Sequence, residues 1–122
     1  MASRITELVL ECVEPERVAA FWCAVLGYEV LDRHPEDGVA IGVPGGRGPM
    51  LVCNPAAGPK REKLRLHLDL NATDRDQDAE LRRLLELGAR PADVGQTGEE
   101  SWHVLADPEG NEFCLLRKRV AP

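Results

Sequence analysis

The sequence predicts an α+β domain of two βαβββ modules in tandem, whose half-barrel sheets pair around one cleft with the helices outside. Three observations lead there. The 122 residues are enough for one domain and too few for two with independent cores. A strand, a helix and three short strands follow one another twice, at about 4–55 and about 64–119, around a polar connector at about 56–63. The letters repeat as well: "LGYEVLD" at 26–32 lines up with "LGARPAD" at 87–93, an offset of 61 (88 − 27) that also carries Cys53 onto Cys114.

The first module opens on "RITELVLECV", an alternating stretch with Ile5, Glu7, Val9 and Glu11 on one face and Leu8, Leu10 and Cys12 on the other. Pro15 suits the first helical position. Behind it Val18, Phe21, Trp22, Val25 and Leu26 have the spacing of an amphipathic helix, which Gly27 stops. "YEVLDR", "GVAIGV" and "PMLVC" read as strands. The Gly- and Pro-rich stretch "GVPGGRGPM" at 42–50 lacks a following Lys-Ser/Thr, so it is a loop rather than a phosphate cradle, either a lip over the cleft or an ordinary hairpin connection.

In the second module "LRLHLDLN" alternates strictly. Leu64, Leu66, Leu68 and Leu70 share one face; Arg65, His67, Asp69 and Asn71 share the other. Asp74 with Gln77 resembles a capping box for a helix that buries Leu81, Leu84 and Leu85 and ends at Gly88. Strands at about 89–94, 101–106 and 112–118 complete the module. The first strands, 5–11 and 65–71, are expected to be central, with Glu7 and His67 facing the shared cavity.

Charge and composition exclude several classes. A net charge of −6 argues against nucleic acid, and the one basic cluster that stands out, Arg117 to Arg119, reads as a solvated tail. No apolar run is long enough to span a membrane, and acidic residues interrupt the first apolar stretch, so neither a membrane segment nor a signal peptide is expected. Four cysteines (12, 23, 53 and 114) without a CxxC pair point to reduced thiols and a cytoplasmic location. Exposed sheet edges suggest a homodimer.

A strand with leucines behind and polar side chains in front needs water or a ligand on its front face. That argument selects Glu7 and Glu11 in the first module and Arg65, His67 and Asp69 in the second. Glu7 and His67 occupy matching places in the repeat. A Glu–His pair serves either proton transfer beside a carbonyl or hydrogen bonding to a ligand. Trp102 is either a stacking platform or a core anchor. Cys114 alternates with the bulky Phe113 and Leu115, so it is expected to face the cavity; Cys53 is read with it as lining the cavity floor.

The paired βαβββ plan, "HLDL" opening the second module and "LADPEGNEF" closing it resemble the vicinal oxygen chelate superfamily, and more narrowly its glyoxalase-like domains, relatives of glyoxalase I, bleomycin-resistance proteins and extradiol dioxygenases. The resemblance implies a small-molecule ligand and, in metal-dependent members, ligands at places that fall here on Glu7, Cys53, His67 and Cys114. The thiols depart from the His, Gln and Glu sets of such sites. The expectation is therefore no resident metal, with Glu7 and His67 catalysing lyase- or isomerase-type proton transfer. The alternatives are sequestration of a small cationic or aromatic compound, as in bleomycin resistance, and a ligand-sensing accessory domain.

Overall fold

A computed structural model of the chain describes residues 2–46 and 48–122. Met1, and Arg47 in the glycine-rich loop, lie outside the described residues. The fold is α+β with two tandem modules. The chain divides into two compact units, Met1–Pro59 and Lys60–Pro122.

The first unit runs β1 (Glu7–Cys12), α1 (Pro15–Leu26), β2 (Glu29–His34), β3 (Gly38–Gly42) and β4 (Met50–Pro55). Its sheet has the order β1-β4-β3-β2, with β1 parallel to β4 and the other pairs antiparallel. The expected alternation of β1 appears as alternating exposure: Glu7, Val9 and Glu11 are exposed and Cys12 is buried. Pro15 starts α1, and Gly27 closes it in the left-handed region with φ 69°. Val18, Phe21, Trp22 and Val25 are buried, and α1 packs mainly on β3 and β4, whose inner face presents Val39, Ile41, Leu51 and Cys53. Gly38 is where β3 meets the backbone of β4 most closely. Its φ is 87°, and a Cβ there would stand 1.9 Å from the Cys53 carbonyl oxygen, so no larger residue fits.

The second unit runs β5 (Leu68–Leu70), α2 (Gln77–Leu87), β6 (Arg90–Pro91), β7 (His103–Ala106) and β8 (Glu112–Leu115). The order β5-β8-β7-β6, with β5 parallel to β8, repeats the plan of the first sheet. Its strands are shorter than expected. The ladder of β5 begins only at the Leu68–Phe113 pair, so Arg65 and Leu66 sit in a bend ahead of it, and Leu66 is 71% exposed instead of packed behind the strand. Trp102 likewise precedes β7 rather than lying in it. The first strands β1 and β5 each lie at an edge of their own sheet, not in its centre.

Two expectations about α2 also change. The N-cap is Asp76, whose carboxylate accepts from the Ala79 N–H at 2.8 Å; Asp74 pairs instead with Arg75. Leu84 is fully buried, but Leu85 is exposed and Glu80 takes its place inside, held by Arg83 at 2.6 Å. Among the described residues no helix is long and apolar enough to cross a membrane.

Candidate functional site

The second unit's site begins with the turn "DPEGN". The buried Asp107 carboxylate gathers the Glu109 and Asn111 N–H groups at 2.9 and 3.0 Å, and the Asn111 amide at 2.9 Å. Gly110, at φ 85°, lets the chain turn back. The turn sets the phase of β8. Phe113 and Leu115 point to the fully buried side, which leaves Glu112 and Cys114 on the other.

Across the β5–β8 ladder Asp69 stands directly beside Cys114. Two residues earlier, His67 Nε2 lies 3.2 Å from Asp69 Oδ1. One donor atom from each of His67, Asp69 and Cys114 lies within 4.8 Å of the other two. Burial, and then the negative charge of Asp69 and a hydrogen bond to its carboxylate, push the Cys114 thiol up, so it stays protonated and donates to Asp69. The three side chains open on a pocket of about 340 Å³, within the range of small-molecule sites, walled by Val94, Val104 and Leu116 and edged by Trp102 and Lys63.

Glu112 lines the same pocket but is already engaged. Its carboxylate accepts from the Leu64 N–H at 2.8 Å and pairs with Lys60 Nζ at 2.7 Å. Burial raises its pKa, but the Leu64 N–H and Lys60 outweigh burial and hold it below the usual carboxylate range. This clamp ties the connector to β8. The loop ahead of β7 is also fixed: Glu100 accepts from the N–H groups of Thr97 and Gly98, and the Gln77 amide donates to the Ser101 carbonyl at 2.8 Å. Those bonds hold Trp102, 43% exposed, at the pocket.

The sequence-predicted residues divide by unit. His67, Asp69, Trp102 and Cys114 come together in the second unit's pocket, and Arg65 is exposed outside its lining. Glu7 and Glu11 are exposed on the open face of β1, opposite Met50 and Asn54. Cys53 faces the other way. It is 0% exposed, on the face of β4 that carries Leu51, beside Leu10 and Val39.

The ladders explain why. Asp69 beside Cys114 corresponds to Val9 beside Val52, so the last strands match at an offset of 62 (114 − 52) while the first strands match at 60 (69 − 9). The offset of 61 holds at the helix ends, Gly27 and Gly88. Cys53 is thus the counterpart of Leu115, and the match of the two cysteines in letters does not carry over to their faces.

Sequence reasoning missed Lys60, Lys63 and Glu112. The signal was present: Glu112 alternates with Cys114, and "KREKLR" at 60–65 holds four cations against one anion, the same net charge as 117–119.

The glyoxalase-like domain family model matches residues 7–116. The chain belongs to that family. With it the chain joins the vicinal oxygen chelate superfamily. No curated protein matches the chain. Among solved structures it is similar to a fosfomycin resistance protein, FosX, from Listeria monocytogenes, at 16% identity and TM-score 0.71 over 98% of this chain and 94% of that one. A variant of that Listeria protein complexed with Mn(II) and 1S,2S-dihydroxypropylphosphonic acid is similar at 14% identity and TM-score 0.72, over 95% of this chain and 90% of the other. A glyoxalase/bleomycin resistance protein/dioxygenase family enzyme from Burkholderia phytofirmans PsJN is similar at 16% identity and TM-score 0.65, over 93% of this chain and 97% of that one. At these identities the likeness is one of fold.

Proposed function

We propose that the chain is a small-molecule enzyme of the glyoxalase-like kind, in which His67 moves a proton at a carbon beside a carbonyl. The observation that carries this reading is the His67–Asp69–Cys114 cluster opening on an apolar-walled pocket. Asp69 Oδ1 lies 3.2 Å from His67 Nε2, and a ring that turns its Nε2–H toward that carboxylate keeps the Nδ1 lone pair to act as base. The half-exposed carboxylate orients the ring and stabilises the imidazolium formed when the proton arrives, the part that the acid plays in a catalytic triad. Cys114 secures Asp69 from behind, and as a protonated thiol it is no nucleophile.

Similarity to a Mn(II)-complexed protein raises a metal. The residues here do not fit such an ion. Manganese favours an oxygen-rich octahedral set, whereas this cluster offers one carboxylate, one imidazole and a protonated thiol. The proposal therefore includes no resident metal and routes no step through one.

The test is solvent exchange. The protein, prepared without chelator or nickel affinity steps and analysed for metal, is incubated in D₂O with small 2-oxo acids and hydroxyketones, and the α-hydrogen is followed by NMR. At least one compound should exchange faster than in buffer. His67→Asn should slow it by roughly a hundredfold, and Cys114→Ser should leave binding within about tenfold. Glu7→Gln, measured in parallel, decides whether that residue shares in the transfer. Absence of exchange with every compound, or stoichiometric metal lost with Cys114→Ser, overturns the reading. The half-exposed Trp102 at the pocket favours one second reading, sequestration of an aromatic compound, which predicts binding without exchange.

A further inference from the structure

We propose that the pocket of the second unit selects a small aromatic anion, its carboxylate set against Lys63 and its ring against Trp102. The inference rests on that pocket being the binding site, though not on the proton transfer assigned to it.

Charge balance carries the first half. Two carboxylates line the pocket, and Glu112 is the one with a lysine partner. Glu112 is neutralised by Lys60 at 2.7 Å and also holds the Leu64 N–H. Asp69 lies 3.2 Å from His67 Nε2 and accepts from the Cys114 thiol. Glu112 would have to give up Lys60 to receive a cationic ligand, whereas the half-exposed Asp69 keeps its charge. Lys63 is the lysine of the lining, and among the described residues it has no ion-pair partner. Its charge reaches the floor, where it acts on Cys114.

The surrounding segment points the same way. Residues 60–65 contribute Lys60, Arg61, Lys63 and Arg65 against Glu62, a local +3 (4 − 1) in a chain whose net charge is −6. Of this segment Lys63 lines the pocket, and a local excess of positive charge raises the concentration of small anions near it. The sequestered cation suggested by net charge alone is therefore disfavoured at this pocket.

Shape carries the second half. The walls are Val94, Val104 and Leu116, and the edge is an indole that is 43% exposed, held in place by the Gln77–Ser101 bond. A flat apolar body between valines and an indole face gains dispersion and stacking, and a pocket of about 340 Å³ takes one ring with a short side chain.

The experiment compares three probes of matched shape: 3-phenylpropionate, 3-phenylpropanol and 3-phenylpropylamine, by calorimetry and by quenching of tryptophan fluorescence. Trp22 is buried, so quenching reports Trp102. The carboxylate should bind at least tenfold more tightly than the alcohol, and the amine more weakly than either. Lys63→Gln should remove the advantage of the carboxylate while leaving alcohol binding unchanged, which also shows that the variant is folded. Trp102→Ala should weaken all three by a similar factor. Equal binding of the three probes, tighter binding of the amine, or a carboxylate preference that survives Lys63→Gln would overturn the proposal. Binding is read directly, so the preference can hold while solvent exchange fails, or fail while exchange holds.

Discussion

At one register position the first unit carries Val9 beside Val52, and the second carries Asp69 beside Cys114. The neighbouring place repeats the contrast, with Met50 in the first unit and Glu112 in the second. Two sheets of identical strand order thus present different open faces. The first has an apolar stripe, with Glu7 and Glu11 at its edge strand; the second has a connected polar cluster. The frameworks differ too. The first unit has strands of 6, 6, 5 and 6 residues under a helix packed on β3 and β4. The second has strands of 3, 2, 4 and 4 residues over a buried core of Leu84, Leu105, Phe113 and Leu115, and adds side-chain clamps at Asp107, Glu112 and Gln77. A site built of polar side chains on the open face needs such clamps, because the apolar core behind the sheet does not orient those groups.

If stability in the first unit sits in its apolar core, the largest loss comes from opening that core. Trp22 is 1% exposed, and Phe21 meets it edge-on with ring centroids 5.2 Å apart. Trp22→Ala should cost about 4 kcal/mol, read as a fall in the urea midpoint at unchanged slope. A cost under about 1 kcal/mol would break the contrast between a core-held unit and one that adds clamps.

Much of this contrast was legible in the letters. The alternation of β1, Pro15 at the start of α1, the buried stripe Val18 to Val25 and the terminating Gly27 all followed from spacing and backbone chemistry. Cys114 on the open face followed from the bulk of Phe113 and Leu115. Three features did not. Leu66 obeys the alternation, but a strand needs a ladder partner as well as a pattern, and β8 supplies one only from Phe113 onward. Cys53 has the right letter at the wrong offset, because one residue is gained before the helix end and another after it. Lys60 belongs to a connector, where no periodicity marks it, and its role depends on a partner 52 residues away (112 − 60).

Breaking the Lys60–Glu112 clamp should give the next largest loss of stability. Removing Lys60 leaves a buried carboxylate with the Leu64 N–H as its remaining partner, so Lys60→Met should destabilise by about 3 kcal/mol, whereas the double replacement with Glu112→Met should recover much of the loss. The pH dependence follows from the direction of the shift. The folded carboxylate has a lowered pKa, so its contribution is fully present above the usual carboxylate range and is lost as pH falls through the folded value. The wild type should therefore lose stability below about pH 4 more steeply than Glu112→Gln. Parallel acid profiles would show that the clamp does not hold the second unit together.

The smallest effect concerns how the two helices start. Among the described residues α1 shows no side-chain cap and relies on Pro15, whose ring presets the backbone and whose missing N–H needs no partner. In α2 the first turn has ordinary N–H groups, and Asp76 answers one of them through Ala79 at 2.8 Å. Asp76→Ala should cost about 1 kcal/mol, the usual value for a lost N-cap. Asp74→Ala, at the position the capping-box pattern selects, should leave the thermal midpoint where it is, because Asp74 pairs on the surface with Arg75. Thermal unfolding of the two variants side by side separates the positions. If Asp74→Ala shifted the midpoint and Asp76→Ala did not, the helix would start where the sequence pattern put it, two residues earlier than the backbone shows.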